Sequence, residues 1–149
     1  MTEQHSESGF GNHRAALESF YAEEVKYVAA GGARAGADFA GMAAHLHPDV
    51  VVHQGPSVPY PGDWQGIAGL ERFFAVFSDT WLSLDLSETK YFEGETGVAI
   101  SLRMRATARR TGKTVDTRIG QFLTFDHGLI RDFTVFYLDP VQVGEATLP

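Results

Sequence analysis

Apolar positions recur with two different periods along this chain, helical in the first half and alternating in the second. Over residues 12–30, Leu17, Phe20, Tyr21, Val25 and Val28 fall on one helical face, with Asn12 as a candidate N-cap. The run "AGGARAG" that follows is too rich in glycine to continue the helix. Asp38 then opens a short second helix whose apolar face is Phe39, Met42, Ala43 and Leu46. Three valines in "DVVVHQ" predict a strand over 49–54, and Ile67, Leu70, Phe74 and Phe77 predict a third helix over 67–79.

From there the period is two. Leu82, Leu84 and Leu86 alternate with polar residues, as do Val98, Ile100, Leu102, Met104 and Ala106 over 98–108. "RRTGK" turns the chain back into a strand over 115–125, and "FDHGL" turns it again into 130–138. Helices followed by a strand meander give an α+β class. If Arg110 faces Lys113, Met104 lies opposite Ile119 and Leu102 opposite Gln121. Centring the next turn on His127 sets Gln121 against Phe133, Ile119 against Val135 and Thr117 against Tyr137. Because side chains alternate across a strand, Leu102, Met104, Ala106, Thr117, Ile119, Gln121, Phe133, Val135 and Tyr137 share one face, with Asp139 at its end. That face is apolar with isolated polar groups, the signature of a core or of a pocket wall.

Composition narrows the function. The chain has 149 residues, a net charge of −7 and no cysteine. An acidic balance argues against nucleic acid or an anionic membrane as partner. The absence of cysteine excludes a disulfide framework, thiolate metal sites and a cysteine nucleophile. The N-terminal "MTEQHSESGF" lacks the apolar stretch of a signal peptide, so a cytoplasmic location is expected. No linker or repeat divides the chain. It reads as a single domain over 1–149, with a core from about 12 to 140 and loose termini.

Four stretches carry a family resemblance: "HPDVVVHQGP", the "GLERFF" opening of the third helix, the "TGK" turn and "FDHGLIRDFTVFYLD". Together with the element order, they make residues 17–139 resemble the SnoaL-like polyketide cyclase branch of the nuclear-transport-factor-2-like superfamily. The resemblance implies a cone-shaped α+β barrel in which three helices pack on a strongly curved antiparallel sheet. It also implies a central cavity and a homodimer. In the related ketosteroid isomerase two carboxyl groups do the chemistry. Gln54 and Gln121 stand at those positions, and an amide cannot abstract a proton. In the related limonene epoxide hydrolase an arginine and two aspartates position water. Leu102, Met104 and Val135 stand there. Asp139 is the inward acid nearest to the aspartate base of the cyclases.

Each candidate residue has a chemical and a structural reading. Gln54 and Gln121 project into an apolar face and need a partner or a ligand, since a buried unpaired amide costs about 1–3 kcal/mol. His53 is either a general base or, turned outward by alternation, a tie for the proline loop. Tyr60 and Trp64 on "PSVPYPGDW" read as a cavity rim or as loop packing against the third helix, and Tyr21 as a helix aromatic reaching the cavity or the core. His45, His47 and His53 straddle two elements with no acid to complete a metal set, so no metal site is expected. Arg103, Arg105, Asp116 and Arg118 share the outer sheet face, as a solvated network or a dimer contact.

Two functions follow. The first is an enzyme acting without a cofactor by cyclisation, isomerisation or dehydration of a small apolar or aromatic, polyketide-like molecule. In it Asp139 or His53 moves the proton while Gln54, Gln121 and Tyr137 polarise a carbonyl. Tyr21, Tyr60, Trp64, Met104, Leu102 and Phe133 complete the binding surface. The second is a non-catalytic carrier of a similar ligand.

Overall fold

The computed structural model describes the backbone of residues 2–149 and the side chains of residues 13–149. Helix α1 spans Thr2–Ala29, starting before residue 12, and the side chain of the candidate cap Asn12 lies outside the described residues. Its buried face holds Leu17, Phe20, Tyr21, Tyr27 and Val28, and with them Glu24. Two glycines end the helix. Gly31 and Gly32 have φ of 94° and 64°, and their N–H groups donate to the carbonyls of Val28 and Tyr27. A single turn of 3₁₀ helix, Ala33–Ala35, follows and had no counterpart in the pattern. Helix α2, Ala40–Ala43, has the Asp38 carboxylate accepting from the Ala40 N–H at 2.9 Å, as its spacing suggested.

The sheet is curved, unclosed and six-stranded, in the order β2-β1-β6-β5-β4-β3. Its strands are β1 Leu46–Gln54, β2 Gly62–Gln65, β3 Trp81–Glu93, β4 Gly97–Ala108, β5 Thr114–Asp126 and β6 Leu129–Tyr137. Helix α3, Gly66–Thr80, lies between β2 and β3 in the chain and lays Leu70, Phe73, Phe74 and Phe77 on the concave face. Strand β2, read from sequence as loop, pairs with β1. The sheet is not wholly antiparallel, because β1 runs parallel to β6.

The faces follow alternation, but the registers shift by two. Met104 pairs with Thr117, Leu102 with Ile119, and Ile100 with Gln121. The loop between β4 and β5 is longer than a two-residue turn, since Ala108 and Lys113 close it with an N–H···O bond of 2.8 Å. On the next ribbon Gln121 pairs with Val135 and Ile119 with Tyr137. There the turn residues are His127 and Gly128, with φ of 53° and 77° as a tight hairpin needs. A register break between Thr124 and Phe125 then adds one residue to β6. The extra residue restores the parity that the two-residue turn alone would reverse, so Phe133, Val135 and Tyr137 face inward.

The shift also re-pairs the outer charges. Arg105 lies opposite Asp116 and Arg103 opposite Arg118. Arg103 donates to both carboxylate oxygens of Asp116, at 2.8 and 2.6 Å, and Glu88 accepts from Arg103 and Arg118 at 3.1 Å each. Leu82, expected on the same face as Leu84, is 52% exposed, because a register shift between Trp81 and Ser83 puts Trp81 inside in its place while Leu84 stays buried. Beyond β6 the chain forms a fourth helix, α4, Pro140–Glu145, where the sequence suggested a loose end. Thr111 and Lys113 donate to the carbonyls of Ala146 and Leu148, both at 2.6 Å.

Candidate functional site

A hollow remains between α1, α3 and the concave sheet face. Most of its wall is apolar: Phe73, Phe74 and Phe77 from α3, and Val52, Met104, Ile119, Phe133 and Val135 from four strands. Four polar side chains join them, namely Glu24, Gln54, Gln121 and Tyr137. The cavity measures about 30 Å³, room for one or two water molecules. Gln54, Leu86 and Tyr137 are its half-buried members and mark where the hollow meets solvent.

Gln54 and Gln121 both reach this space. Gln121 pairs with Val135, and Gln54 sits one step beyond the His53–Thr134 pair, on the other side of Val135. The amides therefore flank one valine from strands two apart, roughly 10 Å between backbones. Gln121 Oε1 accepts from the Tyr21 hydroxyl. Gln54 Oε1 is buried and has no hydrogen-bond partner among the described residues.

Glu24 is the decisive group. It is buried and lines the cavity, and among the described residues it makes no ion pair or side-chain hydrogen bond. Burial alone pushes its pKa from the usual 4.5 up to about 8. Sequence reasoning missed it, although a signal was there: position 24 lies three and four residues from Tyr21, Phe20 and Val28, in the middle of the helix's apolar stripe. A carboxylate at such a position either finds a partner or serves a purpose.

The SnoaL-like domain family model matches residues 33–133. The chain belongs to the SnoaL-like family. Glu24, Val135 and Tyr137 all lie outside the matched segment. Solved structures agree on the fold. TerC, crystallised with polyporic acid, is 19% identical over 93% of this chain and 99% of its own, with a TM-score of 0.77. An NTF2-like protein from Burkholderia thailandensis is 22% identical over 91% and 96%, with a TM-score of 0.75. A protein from Xanthomonas campestris named as a polyketide cyclase is 18% identical over 87% and 93%, with a TM-score of 0.68. At these identities the likeness carries the fold and not the reaction. No curated protein matches the chain.

Other sequence candidates of this SnoaL-like chain lie elsewhere. His53 points to the outer side of the sheet, with Nδ1 2.8 Å from Asp63 and Nε2 2.9 Å from Asp132. Partial burial opposes its charge, yet hydrogen bonds to the two carboxylates outweigh that and raise its pKa. It ties β2 and β6 to β1. Asp139 is exposed and caps α4, accepting from the Gln142 N–H at 3.1 Å. The Asp-Pro step that turns the chain out of the sheet takes this carboxylate away from the cavity.

Tyr60 and Trp64 do not form a rim. Tyr60 is fully buried, with its ring against Phe73 and Phe77 and its hydroxyl 2.8 Å from that of Tyr137. Trp64 packs on Phe73 and donates to the Tyr60 carbonyl at 3.3 Å. Tyr21 stands behind Gln121, and Leu102 belongs to the core beside the cavity, whose wall includes Met104 and Phe133. Among the described residues no group of three or more His, Cys, Asp or Glu could hold a metal ion, and no helix is long and apolar enough to cross a membrane.

Proposed function

We propose that this protein is a small-molecule enzyme that moves a proton next to a carbonyl group without a cofactor, with Glu24 as the proton carrier. The observation that carries this reading is a buried carboxyl, raised to about 8, in a mostly apolar cavity whose other polar side chains are neutral. Such a group suits acid–base work near neutral pH, because both protonation states are accessible and the carboxylate is more basic than an exposed one. Glu24 replaces Asp139 and His53 in this role, since neither reaches the cavity wall. In an isomerisation the Glu24 carboxylate removes a proton from the carbon beside the carbonyl. Charge builds on the carbonyl oxygen, where hydrogen bonds from the cavity hold it. The Glu24 carboxyl then returns a proton to another carbon, and the enzyme is restored.

Cyclisation and dehydration use the same shuttle, and relatives named as polyketide cyclase and isomerase share the fold. The crystal of TerC with polyporic acid supports a small-molecule ligand. At about 30 Å³ the cavity is nearly closed, so a ring enters only as side chains at the half-buried mouth, Leu86 among them, swing aside. The second reading, a ligand carrier, draws on the same apolar wall but leaves the energetic cost of burying Glu24 without a purpose.

The test needs no natural substrate. Cyclohexanone in D₂O exchanges its α-hydrogens wherever a base removes them. The protein is expected to accelerate deuterium uptake, with a rate that rises with pH and levels off above about 8, because the carboxylate is the active form. Uptake no faster than in buffer across pH 6–9 would contradict the enzyme reading and leave the carrier.

A further inference from the structure

The cavity's hydrogen-bonding groups are not interchangeable, and buried contacts outside it determine which of them donate. Trp81 Nε1 can only donate, and it donates to the Tyr60 hydroxyl at 3.1 Å. Tyr60 and Tyr137 share one hydroxyl contact of 2.8 Å. If Tyr137 donated there, the hydrogen of Tyr60 would have no acceptor in a fully buried position, at a cost of a lost hydrogen bond. The order that satisfies every group is Trp81 to Tyr60 to Tyr137. It leaves the Tyr137 hydrogen unused, on a residue that lines the cavity. Burial, foremost, and the nearby Tyr60 and Glu24 hold the Tyr137 hydroxyl well above its ordinary pKa, so it keeps that hydrogen.

The same accounting applies to Gln121. The buried Tyr21 hydroxyl donates to Gln121 Oε1, and the Gln121 amide N–H groups are left to the cavity. On the far side of Val135, Gln54 is another residue of the cavity wall and holds the opposite polarity: a buried carbonyl oxygen that accepts no hydrogen bond among the described residues. Two donors thus stand on β5 and β6, and one acceptor stands on β1.

We infer that the ligand is a small ring carrying a carbonyl oxygen that faces Tyr137 and Gln121, and a hydroxyl at its opposite end that donates to Gln54. Trp81 and Tyr60 act as positioning residues for the Tyr137 donor. The inference rests on the cavity being a ligand site, and it names the class of molecule: hydroxy-carbonyl rings, whose keto and enol forms interconvert by the proton movement assigned to Glu24. It also gives the two amides different tasks. Gln121 polarises the carbonyl, whereas Gln54 orients the ligand from the other end.

Four probes of nearly one shape test it: 4-hydroxybenzaldehyde, benzaldehyde, phenol and toluene, each titrated into isotope-labelled protein and followed by NMR. Each correctly placed hydrogen bond is expected to tighten binding by about threefold to tenfold. Toluene should then bind weakest, benzaldehyde and phenol more tightly, and 4-hydroxybenzaldehyde tightest. Tyr137→Phe should erase most of the advantage of benzaldehyde over toluene and spare that of phenol. Gln54→Leu should do the reverse. Trp81→Phe should reduce the benzaldehyde advantage while leaving toluene affinity unchanged, a pattern that loose packing does not produce.

If toluene binds as tightly as the polar probes, the polarity assignment falls while the cavity reading stands. If none of the four binds, both fall together. A benzaldehyde preference that survives Trp81→Phe overturns the positioning role of Trp81 and Tyr60.

Discussion

Glu24→Gln should make the protein more stable and less active at once. The unfolded chain ionises this carboxyl near 4.5, whereas the folded protein holds its proton until about 8. Between those values the folded state binds more protons than the unfolded one, so stability contributed by the neutral carboxyl is present below 4.5 and drains away as pH rises toward 8. At roughly 1.4 kcal/mol per pH unit, the loss reaches about 3 kcal/mol at pH 7. Glutamine keeps the shape and stays neutral. The variant should match the wild type near pH 4.5 and exceed it by about 3 kcal/mol at pH 7, measured by urea unfolding at both pH values. Its deuterium uptake into cyclohexanone should fall by roughly 10²–10⁴-fold, the usual share of a general base. A variant with unchanged stability would mean that Glu24 finds a counter-charge or water in solution.

Gly32→Ala should produce the second large effect, by attacking the joint that holds two walls of the cavity together. Gly32 has φ 64° and ψ −156°, a region that side-chain-bearing residues essentially never occupy, with a cost of about 1–3 kcal/mol. A methyl group there would also lie 2.1 Å from Ser78 Oγ on α3. Overpacking of that kind adds about 1–3 kcal/mol. The substitution is therefore expected to cost roughly 2–5 kcal/mol in urea unfolding. Adding Ser78→Gly should recover the steric part and leave the backbone part. Full recovery would show that backbone conformation contributes nothing, and no loss in the single variant would contradict the close approach of Gly32 to α3.

The faces of the strands were legible because alternation is insensitive to even shifts. The assumed registers differ from the observed ones by two residues on both ribbons, yet Gln121 and Tyr137 kept their inward face. Register depended on a longer loop after Ala108 and an extra residue near Arg131, neither of which alternation reveals. The outward turn of His53 was also open to reading from the strand, whereas its two aspartate partners come from strands 10 and 79 residues away.

Glu24 and Asp139 differ from the sequence reading in opposite directions: one lies in the cavity wall and the other outside it. Glu24 is a charged residue within an apolar helical stripe, and its spacing from Phe20 and Val28 places it inside. Asp139 was read as a continuation of the strand, whereas the proline after it begins a helix and turns its carboxylate into a cap. The path of Tyr60 from a proline loop into the core, where it meets Trp81 and Tyr137, is a long-range packing outcome without a local signal.

The most direct measurement is the titration of the Glu24 carboxyl itself, by ¹³C NMR of glutamate-labelled protein, with Glu24→Gln identifying the resonance. A midpoint close to 8 is the result expected of a proton carrier buried in the cavity wall. A midpoint near 4.5 would place this carboxyl in contact with water and remove the chemical basis for the proposed reaction.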